Sequence, residues 1–264
     1  MNRFRRELAP ITTQAWNEIE TQARRFLVNT MSLRRVVDVS GPYGPTFGAV
    51  PKGRLVVPED QPDSTAQVGV NRVQPLVEVR VPFELNLWEL DNMERGASDI
   101  DLSPLETACW DLVRFEEETV FNGFGHADLE SLVELAGQQP VSFGGDMANF
   151  LEAVAQASTQ LHKSMVEGPY TLVVPESVWR YLSSMIDGRP LRRHVEYLLD
   201  GPVIFSPFIP QTMLVSTRGG DLELVLGQDV SVGFENATTQ TVKLFLTESF
   251  TFQVHDPNVM VFIR

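Results

Sequence analysis

The apolar positions near the start of the chain follow a helical period. Trp16, Ile19, Ala23, Phe26, Leu27 and Thr30 recur at three- and four-residue steps and predict a helix from about Thr12 to Arg34. Thr12 or Thr13 is placed to cap it. The stretch DVSGPYGP at 38–45 follows, and its glycines and prolines stop any helix. Residues 46–75 read as a long hairpin, with strand-like runs at 54–57 and 66–70 on either side of the polar PEDQPDST at 58–65. An arm of two strands has too little core to stand alone, so it must lie on its own domain or on another subunit. From Leu76 to Leu87 the period changes to two. Val77, Val79, Val81, Phe83 and Leu85 share one face, with Glu78, Arg80, Pro82 and Glu84 on the other, which predicts a half-buried strand.

A second long helix is predicted over 103–122. Ser103 is the expected N-cap, Pro104 sits in the first turn and Glu106 would close a capping box. Leu105, Cys109, Leu112, Val113, Val120 and Phe121 form its apolar face, and Gly123 ends it. Twenty residues give about 30 Å of helix, enough to be the spine of a domain. After a glycine-rich stretch at 123–146, helical and strand patterns alternate. Asp146 would cap a helix ending near Gly168, a strand follows at 170–174, helices at 176–185 and 191–199, and strands at 203–206 and 212–216. The last 45 residues read as strand. In them Val242, Leu244, Leu246, Phe250, Phe252 and Val254 share a face with Glu248, a carboxylate that needs a partner if that face is dry. The sum is an α+β domain, built on the spine helix and the last strands, interrupted by a compact α/β unit.

Composition narrows the function. The formal charge of −14 argues against a general nucleic-acid binder. The first 35 residues are the exception, with seven arginines against three glutamates, either paired along a helix or presented to a partner. No apolar run is long enough to span a membrane, and the charged N-terminus is unlike a secretory signal. The single cysteine, Cys109, sits on the apolar face of the spine helix and reads as a core residue, in keeping with a reducing cytoplasm.

The search for chemistry yields little. His126, His162, His194 and His255 fall in no ligand motif, and no nucleophile elbow, P-loop or dinucleotide fingerprint is present. Glu116, Glu117 and Glu118 point about 100° apart on a helix and read as a solvated face rather than a catalytic pair. Arg80 and Trp88 are the one cation–aromatic pair that could hold a flat ring such as a flavin, the alternative being that Trp88 packs on the arm or a neighbouring subunit.

Six phrases carry a resemblance: LAPIT at 8–12, DVSGPYGP at 38–45, LWELDNMERG at 87–96, EGPYTLVV at 167–174, GGDLELVLGQDVSVGFE at 219–235 and LFLTESFTFQVHDP at 244–257. Each is weakly specific, but in this order and spacing they cover nearly the whole chain. Together the sequence resembles the encapsulins, including those once labelled linocin-type bacteriocins. The resemblance implies the tailed-phage major-capsid fold, with an N-terminal helical segment at 1–42 on the inner wall and an extended loop at 43–75. A peripheral domain at 76–135 and 221–264 and an axial domain at 136–220 complete it. It implies a non-enzymatic, cytoplasmic shell subunit, a homo-oligomer of about sixty copies in an icosahedral shell. That shell would enclose a cargo enzyme of iron-storage (ferritin-like) or peroxidase type, held by its terminal targeting peptide. Positions matching the family's peptide site are Phe26, Thr30, Arg34 and Asp38 on the helix side and Val230, Val232 and Phe234 on the strand side. Asp187, Gly188 and Arg189, in SMIDGRP at 184–190, match a pore at the fivefold tip. No cofactor is required, although flavin binding within the family would fall at Arg80 and Trp88. A phage major capsid protein shares the fold and is the first alternative, and a protease or bacteriocin enzyme is the second.

Overall fold

The computed structural model describes residues 3–62, 65–186 and 189–264. In chain order the elements are α1 (Thr13–Thr30), β1 (Asp38–Ser40), β2 (Ala49–Val56), β3 (Val70–Pro75), β4 (Val77–Asn86), α2 (Leu87–Glu94) and α3 (Ser103–Asn122). There follow α4 (Leu132–Leu135), α5 (Phe150–Lys163), β5 (Tyr170–Val174), α6 (Glu176–Leu182), β6 (Met185–Ile186), β7 (Arg189–Pro190) and α7 (Leu191–Leu199). The last are β8 (Val203–Phe205), β9 (Thr212–Ser216), β10 (Leu222–Ala237), β11 (Thr241–Val254) and β12 (Met260–Ile263).

Two four-stranded sheets organise the chain. The first runs β1-β10-β11-β4 and the second β12-β9-β5-β8. In the first sheet β10 and β11 form a long hairpin. Its turn is closed by Thr238, whose backbone N–H donates to the Thr241 carbonyl while its hydroxyl accepts the Gln240 and Thr241 N–H groups. α1 and α3 pack on this sheet through Trp16, Ile19, Leu27, Leu105 and Leu112 against Leu244 and Leu246, which sit on the apolar face that alternation predicts. Gly233 on β10 lacks a Cβ that would lie 2.2 Å from the Phe245 ring opposite, so the ring lies flat across it. In the second sheet Leu172, Val173, Met213, Leu214 and Val215 are buried together with α5 and α7 residues Val154, Leu161, Val195 and Leu199.

Several expectations shift for identifiable reasons. α1 stops at Thr30, and Leu33–Arg35 is a separate 3-10 turn, because the Ser32 and Leu33 N–H groups donate to the Glu117 carboxylate, 2.6 and 3.0 Å away. Ser103 is not the cap of α3. Leu102 holds that place, and the Ser103 N–H donates to Asp101 Oδ1 instead. The predicted strand 76–87 ends at Asn86, whose side chain accepts from the Trp88 N–H and starts α2, an element the sequence pattern misses. Asp146 caps a 3-10 turn, Met147–Asn149, that leads into α5. β12 does not join the other C-terminal strands. It pairs with β9, so Met260–Ile263 completes the second sheet although the expected boundary put 221–264 wholly with the first. An apolar four-residue strand buried on both faces suits a sheet covered by helices.

The arm of β2 and β3 projects from this body. Leu55, Val57, Val70 and Val73 are exposed on it, Leu55 to 60%. Its base is held by Gln74, which donates to the Ala127 carbonyl at 2.8 Å. Among the described residues no helix is long and apolar enough to cross a membrane.

Cys109 lies in the core between α1 and α3, as its place on the apolar stripe implies. Burial, with the nearby Glu106 charge adding to it, pushes the thiol up to about 12. A soluble maleimide is therefore expected to leave the folded protein unlabelled and to label it fully in denaturant, because the thiolate is the reactive form. Labelling of the folded protein at the denatured rate would show the spine helix to be open.

Candidate functional site

An open groove of about 680 Å³ lies between α1 and the outer edge of β10. Ala23, Leu27, Val28 and Met31 form its helix side, and Val230, Ser231 and Val232 its strand side. Phe4 and Arg6 close one end and Arg34, Arg35 and Asp229 the other. Leu27 and Met31 are mostly buried, whereas Val28 is 69% exposed on the face that amphipathicity would leave polar. Arg6 is fixed by Glu20 at 2.5 Å and by the Trp16 ring, 4.3 Å from its guanidinium.

The residues matched to a peptide site divide. Arg34, Val230 and Val232 line this groove. Phe26 faces α3 instead, edge-on to Trp110 at 6.4 Å, and the Thr30 hydroxyl donates to the Phe26 carbonyl. Phe234 adjoins the groove's end, its N–H donating to the Phe4 carbonyl at 2.8 Å. Asp38 lies elsewhere, accepting from the Gly220 N–H just before β10. The sequence reading missed Phe4, Arg6, Ala23 and Val28. The one legible signal was Val28, an apolar residue four positions after Arg24 on the polar side of the helix.

Arg80 and Trp88 do not come together within the chain. Arg80 stacks on Phe245 at 4.2 Å in mid-β4, six residues or roughly 20 Å of strand before Asn86. Trp88 is 67% exposed on α2, where it borders a shallow hollow with Glu84, Pro104 and Thr241. Asp187 and Gly188 lie outside the described residues, and Arg189 contributes its backbone to β7, paired with Ile186. Among the described residues no cluster of three or more metal-ligating side chains occurs.

Beneath the groove lies a buried ionic cluster. Arg34, 14% exposed, donates to both Glu116 oxygens, to Glu248 Oε2 at 2.6 Å and to Asp229 Oδ1 at 2.9 Å. This corrects the reading of Glu116 and Glu117 as a solvated face, since both are fully buried. Glu117 accepts from Ser32, Leu33 and Ser206, and Arg34 is the partner that Glu248 requires. Burial works against the Arg34 charge, but Glu116 and Glu248 more than offset it and hold its pKa above the ordinary arginine value. Burial, then the adjacent Glu116 charge, pushes Glu248 well above the usual carboxylate range. Glu117 is also raised by burial, its hydrogen bonds opposing.

Such a cluster predicts a clear hierarchy of variants. Arg34→Met strands Glu116 in the core and should cost about 3–5 kcal/mol. Glu248→Gln mimics the protonated acid and should cost under about 1 kcal/mol. The pH dependence has a defined sign. A folded pKa above the unfolded one means that the native state keeps a proton the unfolded chain releases, so stability falls as pH rises from the ordinary carboxylate value through the raised one. Urea midpoints across that range should decline for the natural sequence, and less steeply for Glu248→Gln. Equal slopes would remove Glu248 as the source.

The comparisons with known proteins agree with this architecture. A family model described as encapsulating protein for peroxidase matches residues 1–251. A type 1 encapsulin shell protein of Mycolicibacterium paratuberculosis is 37% identical over 253 residues, 96% of this chain and 95% of that protein. One of Rhodospirillum rubrum is 37% identical over 271 residues, 100% of this chain and 97% of that protein. Among solved structures, a virus-like particle from Pyrococcus furiosus superposes with a TM-score of 0.67 at 16% identity, covering 94% of this chain and 98% of that one. The capsid of an empty GTA particle gives 0.55 at 15% identity, covering 88% and 89%. At those identities the two structures establish a capsid-like α+β fold. The named relatives are shell proteins rather than enzymes, and on a family match to most of its length this chain belongs to the encapsulin shell proteins.

Proposed function

We propose that this chain is the subunit of a closed icosahedral shell, about sixty copies in its smallest form, which holds a cargo enzyme in the cytoplasm. Closed symmetric assembly is the habit of homo-oligomers. The arm suits it, because exposed valines and Leu55 on a two-stranded ribbon with little core need a neighbour to cover them. The observation that carries the cargo reading is the groove. It is open, apolar along Ala23, Leu27 and Val28, and bordered by charged side chains that include Arg24 and Arg35, which fits an extended peptide with apolar side chains and a flanking charge. A terminal targeting peptide of the cargo is the occupant in this reading. The cargo is of peroxidase or iron-storage type, in line with the peroxidase-encapsulating family description. The 184–190 tip, with Asp187 and Arg189, would ring a pore for small solutes. No resident cofactor is part of the reading.

Negative-stain electron microscopy of the protein expressed alone should show uniform hollow spheres. A small oligomer under all salt and pH conditions would overturn the shell reading, and nuclease-protected DNA inside the particles would favour a phage capsid. Val28→Asp changes an exposed residue and should leave assembly intact. It should lower cargo retained on co-purification from the native host by about tenfold or more, the worth of burying one valine. Unchanged retention would remove the groove as the docking site.

A further inference from the structure

We infer that the groove's occupant binds as an added strand on the outer edge of β10, and that it brings a carboxylate to the groove's basic rim. The inference rests on the docking reading above and specifies how the peptide is held.

The outer edge of β10 is used by the chain itself at both ends and is open between them. At the start it pairs with β1 at Glu223, Leu224 and Val225, and the Leu226 and Gly227 carbonyls accept from Tyr43 and Gly44. Near the other end the Phe234 N–H donates to Phe4. That bond shows that Phe234 turns its backbone polar groups away from β11. The register between Val232 and Phe234 is unbroken, so Val232, two residues earlier, faces the same side. Among the described residues its N–H and carbonyl have no partner on that side. The stretch before it is bulged and keeps its polar groups to itself. The β10–β11 register slips between Gln228 and Ser231, the Val230 N–H turns to Asp229 Oδ1, and the Asp229 carbonyl accepts from Gln228 Nε2 and the Ser231 hydroxyl.

An unpaired edge presents a template for another strand. Here the template is the strand wall of the groove, and Leu27, Val28 and Met31 stand opposite to receive alternate apolar side chains. From Ser231 to Phe234 the regular edge is roughly 10 Å long, room for about three residues of an added strand.

Charge selects among apolar segments. Arg6 is taken by Glu20, and Arg34 by Glu116, Glu248 and Asp229. Arg24 and Arg35 line the groove, are exposed, and make no ion pair among the described residues. The rim thus has positive charge to spare. It fits a segment with an acidic side chain or a free C-terminal carboxylate.

Residue-resolved amide exchange, comparing cargo-loaded shells from the native host with empty recombinant shells, tests the pairing. In the loaded fraction the Val232 amide should slow by about fivefold or more. Ser231 and Gly233, whose amides face β11, should not change. An unchanged Val232 amide in shells whose cargo is lost on Val28→Asp overturns strand addition while groove docking stands. Cargo retained by Val28→Asp overturns the docking reading itself. For the charge, Arg24→Glu with Arg35→Glu should lower cargo occupancy by about fivefold or more, and Arg24→Gln with Arg35→Gln by less. Equal or higher occupancy in the reversed variant overturns the carboxylate.

Discussion

The fold around the groove depends on one buried guanidinium. Arg34 lies just past α1 and reaches Glu116 on α3, Asp229 on β10 and Glu248 on β11. A buried charge left alone is prohibitive, so these four segments cannot part without exposing or stranding an ion. The neighbouring carboxylate does related work on the backbone. Glu117 takes the Ser32 and Leu33 N–H groups and the Ser206 hydroxyl, and so fixes the exit of α1 and ties it to the chain leaving β8. Hydrophobic burial would hold α1 somewhere on the sheet, since apolar packing is not directional. The ionic cluster chooses where.

That choice creates the groove. With its C-terminal end clamped over Glu116, α1 forms one wall of the gap and β10 the other. Arg6 clamps the other end of the gap through Trp16 and Glu20. Arg6 and Arg34, at opposite ends of the concavity, are thus already satisfied within the chain, and Ala23, Leu27 and Val28 leave an apolar wall between them. A flexible helix would close such a gap on itself. A helix fixed at both ends keeps the groove preformed, so any occupant is spared the cost of opening it.

The fold was largely legible because it rests on periodicity. The α1 and α3 stripes, the alternation in β4 and β11 and the α/β order of residues 146–216 all depend on burial of one face, and burial writes itself into sequence at regular steps. What was not legible depends on single polar contacts between distant residues. The α1 exit needs Glu117, 85 positions from Ser32. The start of α2 needs one Asn86 side-chain bond. β12 joins the second sheet through pairing with β9, which no local pattern specifies. The site was half legible. Val230 and Val232 came from the family resemblance, whereas Phe4 and Arg6 enter through a segment with no period of its own.

The same cluster shows why a perturbed carboxylate is not by itself a catalyst. Raised acids beside an arginine are a usual mark of an active site. Three features here point the other way. Glu116, Glu117 and Glu248 are closed to solvent, so no substrate reaches them. The hydrogen bonds they accept come from Arg34, Ser32, Leu33 and Ser206, all within the chain, and Glu248 Oε1 is closed off in the core without a hydrogen-bond partner. The one group of the cluster that borders the groove and remains half exposed is Asp229, and it holds Arg34 and the Val230 N–H rather than facing a nucleophile. The shift in Glu248 thus measures burial and charge crowding at a structural joint.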